Sequence, residues 1–131
     1  MKFLCLFICS ILPLISLSQT MNKEVKAKID VSYSEDLILI KATAENLTDV
    51  FKSISYKLSV IKNGGKNQSN NSQSGKKILE SNKIEELSKT QINSSKEDEI
   101  TLLLLIYDEK ENIIGKDRIV IGEKKVDEKK N

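Results

Sequence analysis

The chain has 131 residues, of which 21 are basic and 19 acidic, and it contains two cysteines and no histidine. A net charge of +2, with lysines scattered among acids, gives no basic stripe of the kind that binds nucleic acid. Without histidine, a common metal ligand and the usual general base near neutral pH are absent, which excludes most familiar hydrolase mechanisms. The length fits a single domain.

The first residues have the layout of a secretory signal peptide. Lys2 stands ahead of a largely apolar run from Phe3 to Leu17. Ser16 and Ser18 are small enough for the subsites of a signal peptidase. We therefore predict that residues 1–18 are a cleaved signal peptide and that the protein acts in the periplasm or is secreted.

Two other interpretations of this segment are weaker. A retained membrane anchor needs roughly 20 apolar residues, and the run is shorter. A lipoprotein would need a small residue before its modified cysteine, whereas Cys9 follows Ile8. Cleavage would remove Cys9 together with Cys5, so the mature chain would carry no thiol for a disulfide, a metal or a nucleophile.

After the signal peptide, apolar residues recur mostly with period two, and polar or glycine-bearing breaks separate the runs. This pattern is typical of strands rather than helices. It predicts seven strands, at residues 24–31, 37–46, 54–62, 76–81, 86–93, 99–108 and 113–121. Seven short strands in a chain of this length predict an all-β domain built as a β-sandwich, over residues 19–122.

The predicted strands differ in how they alternate. The third strand places Ile54, Tyr56, Leu58 and Val60 on one face, which predicts one buried and one wet face. The sixth strand is apolar at nearly every position from Ile100 to Tyr107, which predicts cover on both faces. In the seventh strand we expect a bend at Gly115.

Two segments allow other structures. Residues 83–89 contain good helix formers after Asn82, a suitable helix cap, so a short helix is the second choice there. After Gly122 the chain is almost entirely charged, and we predict a disordered tail over residues 123–131.

Residues 63–75, NGGKNQSNNSQSG, carry no large apolar side chain and are predicted to form a long exposed loop. Side-chain amides donate and accept hydrogen bonds, so they can pair with extended backbone or with matching amides of another chain. The simpler interpretation is that Asn, Ser and Gly are the ordinary composition of a flexible loop. The candidate partner-binding residues are Gly64, Gly65, Gln68, Asn70, Asn71, Ser72, Gln73, Ser74 and Gly75.

Other motifs predict no chemistry. Asn-X-Ser or Asn-X-Thr patterns begin at Asn46, Asn67, Asn70 and Asn93, and in a chain rich in Asn and Ser they are expected by chance. The acidic residues around Asp98 lack the ligand spacing of a calcium loop. We predict no catalytic residue, no metal site and no cofactor.

Three stretches resemble the CsgH proteins of bacterial curli systems, in the form found in Bacteroidota. They are KATAENLTDVFKSISYKLSVIK at residues 41–62, NNSQSGKKILES at 70–81 and ITLLLLIYDEKENIIGKDRIVI at 100–121. The first is similar to a strand pair with an Asn-containing turn, the second to the end of the family's long loop, and the third to its closing hairpin. Together they cover about half of the predicted mature chain.

The resemblance implies an immunoglobulin-like, antiparallel β-sandwich that binds the curli major subunit in the periplasm and inhibits its premature amyloid assembly. It implies a non-enzymatic protein, and we expect a monomer that binds neither nucleic acid nor membrane. The alternative is a generic secreted immunoglobulin-like structural or adhesion domain. An enzyme with a Ser-Lys pair is a distant third, because no motif places such a pair.

Overall fold

The computed structural model describes residues 21–64, 67–93 and 98–122. The predicted signal peptide, the predicted tail and Gly65 lie outside the described residues. Seven strands span β1 Val25–Ser34, β2 Leu37–Asn46, β3 Lys52–Gly64, β4 Asn67–Leu79, β5 Ile84–Asn93, β6 Glu99–Tyr107 and β7 Ile113–Ile121.

The strands form two antiparallel sheets. One has the order β1-β2-β5 and the other the order β4-β3-β6-β7. The predicted all-β, immunoglobulin-like antiparallel β-sandwich of seven strands is therefore confirmed. The helix considered as the second choice for residues 83–89 is wrong, because residues 84–89 belong to β5. Among the described residues, no helix is long and apolar enough to cross a membrane.

The core lies between the sheets and comes from alternating residues, as the period-two pattern requires. β3 buries Ile54, Leu58 and Val60 and half-buries Tyr56, so its predicted alternation is confirmed. The buried hydrophobic residues are Val25, Ala27, Ile29, Ile38, Ile40, Ala42, Ala44, Ile54, Leu58, Val60, Leu79, Leu87, Ile100, Leu102, Leu104 and Ile106.

The predicted cover on both faces of β6 is wrong. Burial alternates along this strand, with Leu103 and Leu105 half-buried on the face away from the core. In the sheet, Leu105 lies between Lys57 and Lys116, and Leu103 lies beside Arg118. Long basic side chains can cover such residues with their aliphatic stems and keep their charges in water, so a second protein layer is not needed.

The predicted loop over residues 63–75 is also wrong. β4 begins at Asn67 and pairs with β3 over thirteen consecutive positions, from Lys52↔Leu79 to Gly64↔Asn67. The segment is one strand of a long hairpin. β4 is an edge strand of its sheet, and it begins nine residues before the predicted start at Lys76.

β7 bends where the sequence places a glycine. The pairing with β6 shifts so that Ile106 faces Gly115 while Tyr107 faces Ile113, which leaves Ile114 as the extra residue of a β-bulge. A Cβ on Gly115 would lie 3.1 Å from the backbone oxygen of Val25. The predicted bend therefore brings β7 close to the first strand of the other sheet.

Candidate binding edge

The described site residues that were predicted from the sequence lie together on one hairpin. Gly64 is the last residue of β3, and the residues from Gln68 to Gly75 lie within β4. Every side chain from Gln68 to Ser74 is exposed, and Gly75 is half-buried. The residues from Gln68 to Gly75 form a continuous strip along the edge of the four-stranded sheet, and residues 67–77 of β4 are called the β4 edge below.

The register with β3 assigns the β4 side chains to two faces. Ser72 faces Ser59 and lies on the outer face, whereas Asn71 faces the buried Val60 and lies on the inner face. Asn71 and Gln73 are nevertheless exposed, although an inner-face side chain would normally lie under the opposite sheet. The other sheet therefore leaves this part of β4 largely uncovered.

Only side chains connect the β4 edge to the neighbouring edge strand, β5. The Ser88 hydroxyl donates a hydrogen bond to the side-chain oxygen of Gln73. Lys77 lies 3.8 Å from a carboxylate oxygen of Glu85. No backbone group from Gln68 to Ile78 makes a hydrogen bond to another described residue outside the β3 pairing. The backbone groups that point away from β3 are thus available to a further strand.

The opposite side of the sandwich is closed. A side-chain oxygen of Asp117 in β7 accepts a hydrogen bond of 2.8 Å from the backbone N–H of Ile29 in β1. Asn22 accepts from the backbone N–H of Ala27 and of Lys116, at 3.1 Å each, and its amide donates to the Lys116 carbonyl. These bonds occupy edge groups of both β1 and β7, so a further strand would have to displace them.

The four edge strands differ in the features that discourage pairing. β1 carries Lys26 and Lys28, β5 faces a register shift at Ala42/Thr43, and β7 has its bulge. Lysines and bulges are common protections of sheet edges. Residues 67–75 of β4 carry no charge and no proline, and the register with β3 is unbroken.

Gly75 lies beneath an aromatic side chain. A Cβ at this position would come within 2.8 Å of the Tyr56 hydroxyl oxygen and 3.1 Å of its ring carbons. Tyr56 packs against the core from β3, directly opposite Gly75. An aromatic side chain that covers a cross-strand glycine holds the edge strand in register.

Sequence reasoning missed an apolar surface at the end of the sandwich away from the β3–β4 turn. Seven of the eight exposed large hydrophobic side chains in the described part lie at this end: Met21, Leu47, Val50, Phe51, Ile78, Ile84 and Ile113. They flank strand ends that are far apart in the sequence. Only the connection at residues 47–51, where three of them fall close together, gave a local signal.

A buried asparagine holds the connection between β2 and β3. The Asn46 side chain is fully buried, and its amide donates to the carbonyls of Val50 at 2.8 Å and Leu79 at 3.2 Å. Its oxygen accepts from the backbone N–H and the hydroxyl of Thr48. Burial excludes Asn46 as a glycosylation acceptor in the folded chain. This agrees with the expectation that its Asn-X-Thr pattern occurs by chance.

The described residues contain no cluster of three or more His, Cys, Asp or Glu side chains that could hold a metal ion. The resolved pKa shift belongs to Asp108, in the β6–β7 turn. Hydrogen bonds donated mainly by the backbone N–H of Asn112 hold its pKa below the ordinary value of 3.8. This carboxylate stabilises a turn.

Solved structures show the same architecture. The chain is similar to the Escherichia coli curli protein CsgC, with a TM-score of 0.60, 15% identity and coverage of 72% of this chain and 96% of that one. It is also similar to CsgH from R. palustris, with a TM-score of 0.55, 16% identity and coverage of 70% and 89%.

The fold is not confined to these proteins. A Bacteroides uniformis β-glucuronidase matches with a TM-score of 0.55 and 5% identity, over 74% of this chain but only 14% of the enzyme chain. No family model and no curated protein sequence matches this chain. The comparisons show a β-sandwich fold shared with CsgC and CsgH, and both of these proteins match over nearly their whole length.

Proposed function

We propose that this protein is a periplasmic, chaperone-like binding protein that inhibits premature amyloid assembly of the curli fibre subunit, and that it acts through the β4 edge. It binds without catalysis and needs no cofactor. The observation that carries the proposal is a long, exposed edge strand, uncharged over residues 67–75, on a sandwich whose other side is closed by side-chain hydrogen bonds. The fold shared with the curli protein CsgC supports the curli system as its setting.

The mechanism follows from how sheets grow. Amyloid extends when a subunit strand adds to an open edge and pairs its backbone groups there. A soluble sandwich with one free edge can pair with the same strand and withhold it from the growing fibre. Because Asp117 and Asn22 occupy edge groups on the opposite side, a second strand could add there only by displacing their hydrogen bonds.

The side chains of the edge suit a polar client. From Gln68 to Ser74 every residue is an amide or a hydroxyl, and amide side chains form ladders along stacked strands. Backbone pairing supplies affinity, and the side chains on alternate positions supply specificity. An Asn-, Gln- and Ser-containing client strand can therefore be matched on both faces of the β4 edge.

Two proline variants test the edge directly. Asn71→Pro and Ser72→Pro alter adjacent residues, so one removes an N–H bonded to β3 and the other removes an N–H that points outward. We expect the variant that loses the outward-pointing N–H to remain folded, because edge strands tolerate proline at outward positions. Inhibition of curli-subunit polymerisation, followed by amyloid dye fluorescence, should fall about tenfold for this folded variant, or about 1.4 kcal/mol in binding.

Tyr33→Pro is the matched control. Tyr33 is an exposed residue of β1 and lies four residues after Ile29, whose backbone N–H points away from β2. Because N–H directions alternate along a strand, the N–H of Tyr33 also points away from β2, and Tyr33→Pro removes it from an edge strand. It should leave inhibition unchanged. If the folded β4 variant inhibits as well as the unaltered protein, the β4 edge is not the client site. A folded protein without effect on polymerisation would refute the proposed function altogether.

A further inference from the structure

We propose that the β4 edge also pairs with the β4 edge of a second copy of this chain, giving a reversible two-fold dimer with a continuous eight-stranded sheet. This replaces the monomer expected from the resemblance. Dimer formation does not depend on the proposed function. The consequence of the dimer for binding does rest on the proposed function. Because the dimer covers the client site, each edge is protected until a client strand competes for it.

The sequence of β4 indicates that its partner strand is a second copy of β4. Two antiparallel copies of β4 related by a two-fold axis through Ser72 pair residues 67–77 of one copy with residues 77–67 of the other. Ser72 then faces Ser72, Asn70 faces Ser74, and Asn71 faces Gln73, so every central pair joins amide or hydroxyl side chains. The edge is therefore complementary to itself.

The lysines favour this register. With the axis through Ser72, Lys76 faces Gln68 and Lys77 faces Asn67, so no two lysines meet. Moving the axis to Gln73 would place the exposed apolar Ile78 opposite Gln68, and moving it towards the turn would pair fewer residues. Directly opposed residues of antiparallel strands share a face, so the outer surfaces of both copies lie on the same side.

The structure also explains why the assembly stops at two. Addition through one edge alone gives a closed dimer, whereas a second open edge on the same sheet would allow a filament. On the four-stranded sheet the other edge is β7, which has a bulge and whose Lys116 backbone groups are bonded to Asn22.

Charged substitutions at the two-fold axis test the proposed dimer. In the purified exported protein we expect sedimentation velocity to show a monomer–dimer equilibrium that shifts with concentration. Ser72→Lys places two lysines directly opposite each other and should weaken the dimer at least tenfold. Ser72→Glu should do the same through two carboxylates. An equimolar mixture of the two variants should restore dimers as heterodimers, which also shows that both variants are folded.

Ser74→Lys is the matched control, because its lysine would face Asn70 and meet no second lysine; it should weaken the dimer less than Ser72→Lys does. An unaltered protein that stays monomeric at all concentrations would overturn the proposal. So would a Ser72→Lys and Ser72→Glu mixture that forms no heterodimer. Neither result would bear on inhibition of the fibre subunit, which the proline variants measure separately.

Discussion

At the scale of single residues, the buried polar group that matters most is Asn46. It satisfies carbonyls from two separate segments, Val50 and Leu79, within a site shielded from water. A buried amide that bridges two chain segments fixes their relative position, and leaving its partners unpaired is costly. Asn46 thereby joins the β2–β3 connection to the end of the edge strand β4.

Asn46→Ala should lower the free energy of unfolding by about 2 kcal/mol, because it leaves buried carbonyl groups without a donor. The measurement is urea denaturation followed by circular dichroism. Asn63→Ala is the control, since Asn63 is also an asparagine in a strand but has an exposed side chain. Equal effects of the two substitutions would show that burial of Asn46 contributes nothing.

Residue types alone could not assign these roles. Asparagine is mostly exposed in folded proteins, so its residue type gives no sign that Asn46 is buried. The Asn46 side chain bonds to Leu79, which lies 33 residues away. Gln68 to Ser74 were correctly expected to be exposed, because no apolar side chain interrupts them. Partner binding by these residues stays a prediction.

At the scale of elements, β4 shows that strand pairing can override the local structural preference of a sequence. Asn, Ser and Gly are depleted in strands, so residues 67–75 carry a local preference for loop. β3 overrides it, because its length and alternation present thirteen backbone positions for pairing. By contrast, β2 and β7 have the predicted bounds, since their own apolar patterns end where their pairing ends.

The contact between Tyr56 and Gly75 should hold β4 in register. Tyr56→Ala should increase amide hydrogen exchange in residues 73–76, with little change in β7, because the ring no longer covers the glycine. Tyr56→Phe is the control, since it keeps the ring, and it should leave exchange close to that of the unaltered protein. Uniform acceleration across both sheets in Tyr56→Ala would instead indicate loss of global stability.

At the scale of the whole molecule, the two long sides of the sandwich have opposite properties. The β1 and β7 side is sealed by the hydrogen bonds of Asn22 and Asp117. On the other side, residues 67–75 of β4 carry no charge, and the three-stranded sheet leaves the side chains from Gln68 to Ser74 exposed. A molecule with one closed and one open side can take up a strand, or a second copy of itself, without continuing into a fibre.

The sandwich was predictable from the sequence, whereas this asymmetry was not. Period-two burial in β2 and β3 is a local property that determines which face is core. The seal depends on contacts such as Asp117 with Ile29, which are 88 residues apart and come from two different sheets. Contacts between residues so far apart leave no local pattern in the sequence, so the sequence could not show which edge of the sandwich is free.

The most direct test of the account is residue-resolved amide hydrogen exchange of the protein without residues 1–18, alone and with the curli fibre subunit. At a concentration where the protein is monomeric, the outward-pointing amides of residues 67–77 should exchange rapidly. Adding the subunit should slow these amides, while exchange in β1 and β7 stays constant. Protection confined to another surface, such as the apolar end around Phe51, or no protection at all, would contradict the account.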